Sequence, residues 1–231
     1  RLATYRLWQE QFRATVQQSE IPTWLVSSEH CSSRLTRESE LQRLQQFLAK
    51  CFRRVEVVLY LRDPLATAVS AWSTLVLNGG YPLEVLPPPS HPLLADKCDH
   101  RRLVQRWLRW FPNLHVRLYS KDLVSDFCSV IEWEEGLSLL SADPKTCTAN
   151  SSLPHAALIA IARLNQIYPV YLGSALNAQR QKRISEIIER CQGLPVYQPS
   201  EDERACYQSH FAQSIEWIRQ RYFADQSKLF N

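Results

Sequence analysis

The sequence predicts an α/β domain built on a parallel sheet, and three observations lead there. Val55-Glu56-Val57-Val58-Leu59-Tyr60-Leu61 is a short, β-branched and nearly continuous apolar run, the composition of a central strand covered on both faces. Two further candidate strands, Thr23-Trp24-Leu25-Val26-Ser27-Ser28 and His115-Val116-Arg117-Leu118-Tyr119, flank it in the chain. Stretches with helical spacing separate the three, and that alternation is the pattern of a three-layer parallel sheet with helices on its faces. With 231 residues, 45% hydrophobic and 22% charged, the chain suits one domain, 1–231, with a single substantial core.

Each element has its own justification. Pro22 announces the Thr23–Ser28 strand, and Leu41, Leu44 and Leu48, with Phe47 beside them, repeat at helical spacing before the central strand. After that strand, Asp63 can cap and Pro64 can open a helix running to Leu77, where Asn78-Gly79-Gly80 stops it. A loop from Gly79 to about Lys97, with Pro87-Pro88-Pro89 and Pro92, is longer than a simple connection needs and reads either as a binding loop or as a surface excursion. A helix over 99–110 leads into the third strand. From 122 onward the chain reads as helical, with segments at 122–133, 154–168, 175–191 and 200–223. The last opens on Ser200-Glu201-Asp202-Glu203, a capping-box pattern.

Composition narrows the function classes. A net charge of +4 favours an anionic ligand but falls short of the concentrated basic footprint of a nucleic-acid binder. No apolar run reaches the ~18 residues needed to span a bilayer, and Arg1-Leu2-Ala3-Thr4-Tyr5-Arg6-Leu7-Trp8 lacks the apolar centre of a signal peptide. The seven cysteines are scattered without a CxxC pair, so buried free thiols are expected rather than a metal site or a disulfide framework. The absence of methionine and the count of five glycines fit a chain that has lost its beginning.

Chemistry-bearing residues gather behind the strands. In open parallel sheets ligands bind beyond the carboxyl ends of the strands. There the sequence places Ser27-Ser28-Glu29-His30, Arg62-Asp63 and Ser120-Lys121. Arg62 offers a planar fork for a phosphate, the helix opening at Pro64 turns its positive end to the same space, and Ser70, two turns on, can add a hydroxyl. The alternative is that Asp63-Pro64 is simply a good helix start, with Arg62 on the surface and Ser70 a packing residue. Arg101, Arg102, Arg106 and Arg109 read first as a solvated charged face, with an anionic-glycan site as the alternative, and Trp107 and Trp110 as core rather than stacking platforms. Asn150-Ser151-Ser152 matches a glycosylation acceptor but also makes an ordinary helix start before Pro154.

The stretch Val55 to Trp72, an apolar strand, then Arg62-Asp63-Pro64, then five residues and Ser70, resembles the 3′-phosphate motif of sulfotransferases that use 3′-phosphoadenosine 5′-phosphosulfate. Trp24-Leu25-Val26-Ser27-Ser28-Glu29-His30 resembles a strand end of the bacterial-type, carbohydrate-directed branch. Val116-Arg117-Leu118-Tyr119 with Asp126-Phe127, Ala149-Asn150-Ser151-Ser152-Leu153 with Leu164-Asn165, and Arg221-Tyr222-Phe223 with Leu229-Phe230 are similar to its later segments. The family also has a loop that grips the 5′-phosphosulfate. No G-x-x-[KR]-[ST] stands in this sequence, so the expectation is that the loop lay upstream of Arg1, or that the lineage lost it.

The resemblance implies a P-loop NTPase-like sulfotransferase fold with a helical C-terminal third. It implies transfer of a sulfuryl group from 3′-phosphoadenosine 5′-phosphosulfate, without a metal, to a hydroxyl or amine acceptor, a glycan being the first candidate. Arg62 and Ser70 would hold the 3′-phosphate, and Glu29, or secondly His30, would serve as catalytic base. The competing expectations are a non-catalytic nucleotide-binding or interaction module, and a kinase, which needs a lysine loop and an acidic magnesium ligand that the sequence does not display. The expected compartment is the cytoplasm, with the Golgi lumen as the alternative.

Overall fold

The computed structural model describes residues 2–28, 30–79, 83–120, 122–133, 135 and 152–230. Glu29, Lys121 and the Ala149–Ser151 stretch lie outside the described residues.

The expected three-layer sheet is not what the chain builds. Helices dominate, and the described strands form a two-stranded parallel ribbon and a separate two-residue antiparallel pair. Strand β1 (Val57–Leu61) pairs in parallel with β2 (Leu114–Leu118), Val57 opposite Leu114 and Leu61 opposite Leu118. The Thr23–Ser28 segment joins no ladder; it runs without regular structure, with Leu25 and Val26 more than 60% exposed. A strand of this composition is stable only against a neighbour on its edge and a cover on its face. The segment has no paired edge, and its cover is limited to Trp24, which packs edge-on against Phe12.

The helices follow local chemistry more faithfully. Preceding the ribbon are α1 (Leu2–Gln18), α2 (His30–Arg34) and α3 (Glu38–Leu48). Helix α4 (Pro64–Leu77) starts where the sequence places it, because the Asp63 carboxylate accepts the Ala66 N–H at 2.8 Å and Pro64 opens the first turn. The proline-rich loop contains its own helix, α5 (Pro92–Cys98), capped by His91. It is bound down at two points, for the Trp72 indole donates to the Leu83 carbonyl at 3.2 Å and the buried Tyr207 hydroxyl donates to the Pro87 carbonyl at 2.6 Å. Next come α6 (His100–Leu108), β2 and α7 (Leu123–Val130).

Beyond residue 152 the chain forms α8 (His155–Ile167), β3 (Tyr171–Leu172), β4 (Ala175–Leu176), α9 (Ala178–Arg190) and α10 (Glu201–Tyr222). Ala175 and Leu176 belong to a hairpin with β3 rather than to the helix expected from 175. Asn177 starts α9 instead, its side chain accepting the Arg180 N–H. The capping box of α10 forms as expected: Ser200 donates its N–H to Glu203 Oε2 at 2.7 Å and its hydroxyl oxygen accepts the Glu203 N–H at 3.2 Å.

Two hydrophobic clusters result. Trp72, Val76, Leu94, Leu158, Ile161 and Phe211 belong to one, between α4, α5, α8 and α10; Leu41, Leu61, Val104, Trp107, Phe111 and Ile218 belong to the other, around the ribbon. The 22 residues of α10 reach both, with Ile215 packed against each; at 1.5 Å per residue the helix is about 33 Å long, enough to bridge them. On the other face of the ribbon, Tyr60 and Arg117, register partners, both bond Asp126 of α7, the Tyr60 hydroxyl at 2.6 Å. The Arg117 guanidinium, and after it the Tyr60 hydroxyl, hold the Asp126 carboxyl below its usual range.

The arginine row of α6 departs from a uniformly solvated face. Arg102 pairs with Asp96 and Arg109 with Glu38, but Arg106 is buried, 4.0 Å from Asp96 Oδ1. Trp107 is buried and Trp110 packs against the same cluster. Of the described cysteines, Cys98 and Cys128 are buried, Cys31, Cys51 and Cys191 half-buried and Cys206 exposed, all as free thiols. No helix among the described residues is long and apolar enough to cross a membrane.

The end of α4 is a tight junction. Gly79 has a φ of +74°, and a β-carbon there would overlap Val170 Cγ2 and lie 2.9 Å from Arg180 Nη2. Arg180 is itself buried, donating to the Leu77 carbonyl at 3.0 Å and to Asn165 Oδ1 at 2.8 Å, so its positive charge sits at the negative end of the α4 dipole. Gly79→Ala combines backbone strain with a clash and is expected to cost about 2–4 kcal/mol. Urea denaturation measures it, and a loss below about 0.5 kcal/mol would contradict this packing.

Candidate functional site

Parallel pairing decides what stands together at the end of the ribbon. The ladder runs one step past the strands, with the Tyr119 N–H donating to the Leu61 carbonyl at 2.7 Å. Arg62 and Tyr119 therefore leave the two carboxyl ends as neighbours, and the Arg62 guanidinium lies over the Tyr119 ring, 5.4 Å from its centroid. Together with Asp63, Ala66, Ser120 and the C-terminal Leu229 and Phe230 they line an open cleft of about 360 Å³. The Arg62 side chain is exposed and pairs with no carboxylate among the described residues. A contact with the ring consumes none of the guanidinium's N–H donors, which stay available to an oxyanion.

A buried histidine fixes the backbone beneath this arginine. His100, the first residue of α6 and 2% exposed, bonds the Arg62 carbonyl through Nε2 at 2.7 Å. A carbonyl only accepts, so Nε2 carries the proton. Its ring packs on Phe230 with centroids 5.8 Å apart, which draws the C-terminal tail under the cleft. Burial, opposed by the hydrogen bond to Arg62 and by the charges of Asp63 and Asp99, holds the His100 pKa below its ordinary value.

The helix end contributes less than its position implies. Pro64 has no N–H and the Ala66 N–H is taken by the Asp63 carboxylate, so the Leu65 N–H is the first-turn donor the cap leaves over. The Asp63 side chain also lines the cleft and offsets the positive end of the helix. The donors this cleft could offer an anion are therefore the Arg62 guanidinium and the Tyr119 and Ser120 hydroxyls, with little from the dipole.

The other sequence candidates are placed as follows. Ser70 is exposed one turn beyond Ala66 on α4 and is not among the described residues that line the cleft. Ala66 and Ser70 are one turn apart on α4, so Ser70 shares the Ala66 side of the helix. His30 opens the five-residue helix α2, its N–H donating to the Ser28 hydroxyl at 3.2 Å, and it does not line the cleft either. Glu29 and Lys121 lie outside the described residues. Sequence reasoning passed over Tyr119, Phe230 and His100 as parts of this site. Tyr119 was legible as the last residue of a strand in a parallel sheet, but that its strand is the immediate neighbour of Val57–Leu61, in the register that sets it beside Arg62, was not.

Comparison with protein-family models, with curated proteins and with solved structures finds no match. The case for function therefore rests on the residues themselves.

The His100 contact gives a pH dependence whose sign is fixed. The unfolded chain binds a proton on this imidazole near pH 6.5, whereas the folded chain does not. The stabilisation is therefore present above that pH and is lost over the interval below it. The thermal midpoint should fall across that interval, with a smaller slope in His100→Gln even though that variant is less stable at pH 7.5. An unchanged slope in the variant would contradict the assignment.

Proposed function

We propose that the Arg62 cleft binds the 3′-phosphate of 3′-phosphoadenosine 5′-phosphosulfate, and that the protein is a sulfotransferase acting on a hydroxyl-bearing acceptor, a carbohydrate first. The observation that carries this reading is the exposed Arg62 fork, stacked on Tyr119 at the carboxyl ends of two parallel strands. It has no carboxylate partner among the described residues and falls within an Arg-x-Pro…Ser segment that resembles the family's phosphate motif. The cleft volume of about 360 Å³ is at the small end of ligand sites; it suits a phosphate with part of its nucleoside.

In this reading Arg62 takes two phosphate oxygens along its edge, with the Ser120 and Tyr119 hydroxyls as further donors. The acceptor oxygen attacks the sulfur in line. A new S–O bond forms as the bond to the nucleotide's bridging oxygen breaks, and adenosine 3′,5′-bisphosphate departs. The acceptor's proton passes to a base, for which Glu29 remains the first candidate and His30 the second. The grip on the 5′-phosphosulfate is assigned to no residue of this sequence.

A second reading, anion binding without transfer, is favoured by one feature. The described lining of the cleft includes no histidine, and its carboxylate, Asp63, is committed to capping α4.

Both readings are tested by calorimetric titration with adenosine 3′,5′-bisphosphate and adenosine 5′-monophosphate. The expected result is binding of the bisphosphate alone, weakened about tenfold or more by Arg62→Ala, as the loss of a charge-assisted pair of hydrogen bonds implies. Equal affinity for the two nucleotides, or no effect of the substitution, would remove the donor site. Binding without sulfuryl transfer to any sugar acceptor would leave the second reading.

A further inference from the structure

A second arginine-on-aromatic station stands on α10, outside the Arg62 cleft. Trp217 has two guanidiniums over its ring, those of Arg101 from α6 and Arg221 from its own helix, each 5.6 Å from the centroid. Residues 217 and 221 are one turn apart on the same helix face. Arg101 comes from a neighbouring helix that is fastened in place: its N–H donates to the Ser214 hydroxyl at 2.9 Å, and that hydroxyl donates to Asp99 Oδ1 at 2.7 Å. Asp99 also caps α6. The relative placement of the two helices, and so of Arg101 and Trp217, is therefore set by a buried polar bridge.

The charges around the ring do not cancel. Arg101 and Arg221 are exposed, and neither forms an ion pair with a carboxylate of the described residues. The neighbouring acid, Glu216, is spoken for: Arg219 reaches both its oxygens at 2.8 Å and Gln220 donates at 2.7 Å. The Arg219 contact, and after it Gln220, holds its carboxyl down at about 2. Arg101, Gln213, Glu216, Trp217 and Gln220 line an open groove of about 470 Å³, and Arg221 stands on the Trp217 ring outside that lining. Neither ring contact consumes an N–H donor, and Arg101 keeps its edge for an oxyanion. Arg221 also lies over the Tyr222 ring at 5.7 Å and donates through Nε to the Tyr222 hydroxyl at 3.4 Å, which leaves its terminal N–H groups. The amide side chains of the groove supply donors and acceptors for neutral polar groups.

We propose that this groove binds a sulfate or phosphate monoester group carried on a sugar-sized polar ligand, with Arg101 in the lining and Arg221 beside it gripping the ester oxygens and Trp217 holding the two guanidiniums in place. The site is distinct from the Arg62 cleft, with which it shares no lining residue, and it does not rest on the donor reading.

The test is titration of the full chain with glucose 6-sulfate and glucose 6-phosphate, with glucose as the neutral control. At least one ester should bind and glucose should not, and affinity should fall as salt rises. Arg101→Gln and Arg221→Gln should each weaken binding about tenfold. Arg101→Lys, which keeps the charge but not the fork, should also weaken it. Circular dichroism of each variant confirms the fold, and both changed side chains are exposed. Arg62→Ala and saturating adenosine 3′,5′-bisphosphate should leave ester binding unchanged. A preference for one ester names the group recognised. Esters that bind no better than glucose, full affinity in both glutamine variants, or displacement by the nucleotide would each overturn the proposal. Failure of the donor reading would show only in the nucleotide titration.

Discussion

The structure depends on one constraint, the parallel pairing of Val57–Leu61 with Leu114–Leu118. Parallel strands cannot be joined by a tight turn, so the chain must cross over, and here α4, α5 and α6 make the crossing. Every feature of the Arg62 cleft follows from that route. The strands end at the same edge, Arg62 and Tyr119 emerge as neighbours, and α6 returns with its first residue, His100, directly beneath the Arg62 carbonyl. An antiparallel arrangement of the same two segments would put Arg62 and Tyr119 at opposite ends of the ribbon.

A two-stranded ribbon has little surface to bury, and the helices make up the difference. One face carries Leu59, Leu61 and Val116 into a cluster with α3, α6 and the end of α10. The other is closed by a polar clasp, Tyr60 and Arg117 on Asp126, which is half-exposed and adds specificity of docking more than apolar burial. The length of α10 then joins the ribbon's cluster to the one around Trp72. The C-terminal tail is part of the same system: Leu229 is buried, and Phe230 packs on His100 while it lines the cleft. Ligand-binding surface and core thus share residues, so variants at His100 or Phe230 affect both, whereas Arg62, Arg101 and Arg221 change the surface alone.

Local chemistry and the parallel sense of the Val57–Leu61 and Leu114–Leu118 strands were legible in the sequence, and the extent of the sheet was not. Asp63-Pro64 and Asn78-Gly79 bound α4, and Ser200 with Glu203 opens α10, because caps are formed within a few residues of the chain. The Thr23–Ser28 run has strand composition, yet strand formation is a property of neighbours, and none covers Leu25 or Val26. Arg106 looked like its solvated companions on α6, since nothing in the order of residues shows that α5 lies over it. Helix α5 did leave a signal, His91 as cap and Pro92 at the first position, inside a loop read as irregular because of its prolines. Within the site, Arg62 was found because it ends the clearest strand. His100 was missed because a buried histidine and a surface one look alike in sequence.

The cleft requires that the ribbon be parallel and that its ladder continue to Tyr119. The most direct measurement is the scalar coupling across the hydrogen bond from the Tyr119 amide nitrogen to the Leu61 carbonyl carbon, in a deuterated, doubly labelled sample. The structure predicts a resolved coupling, with slow exchange of the Tyr119 amide, from the 2.7 Å contact. A Tyr119 amide that exchanges freely and couples to no carbonyl, or couples to one other than Leu61, would contradict the pairing and with it the placement of Arg62 beside Tyr119.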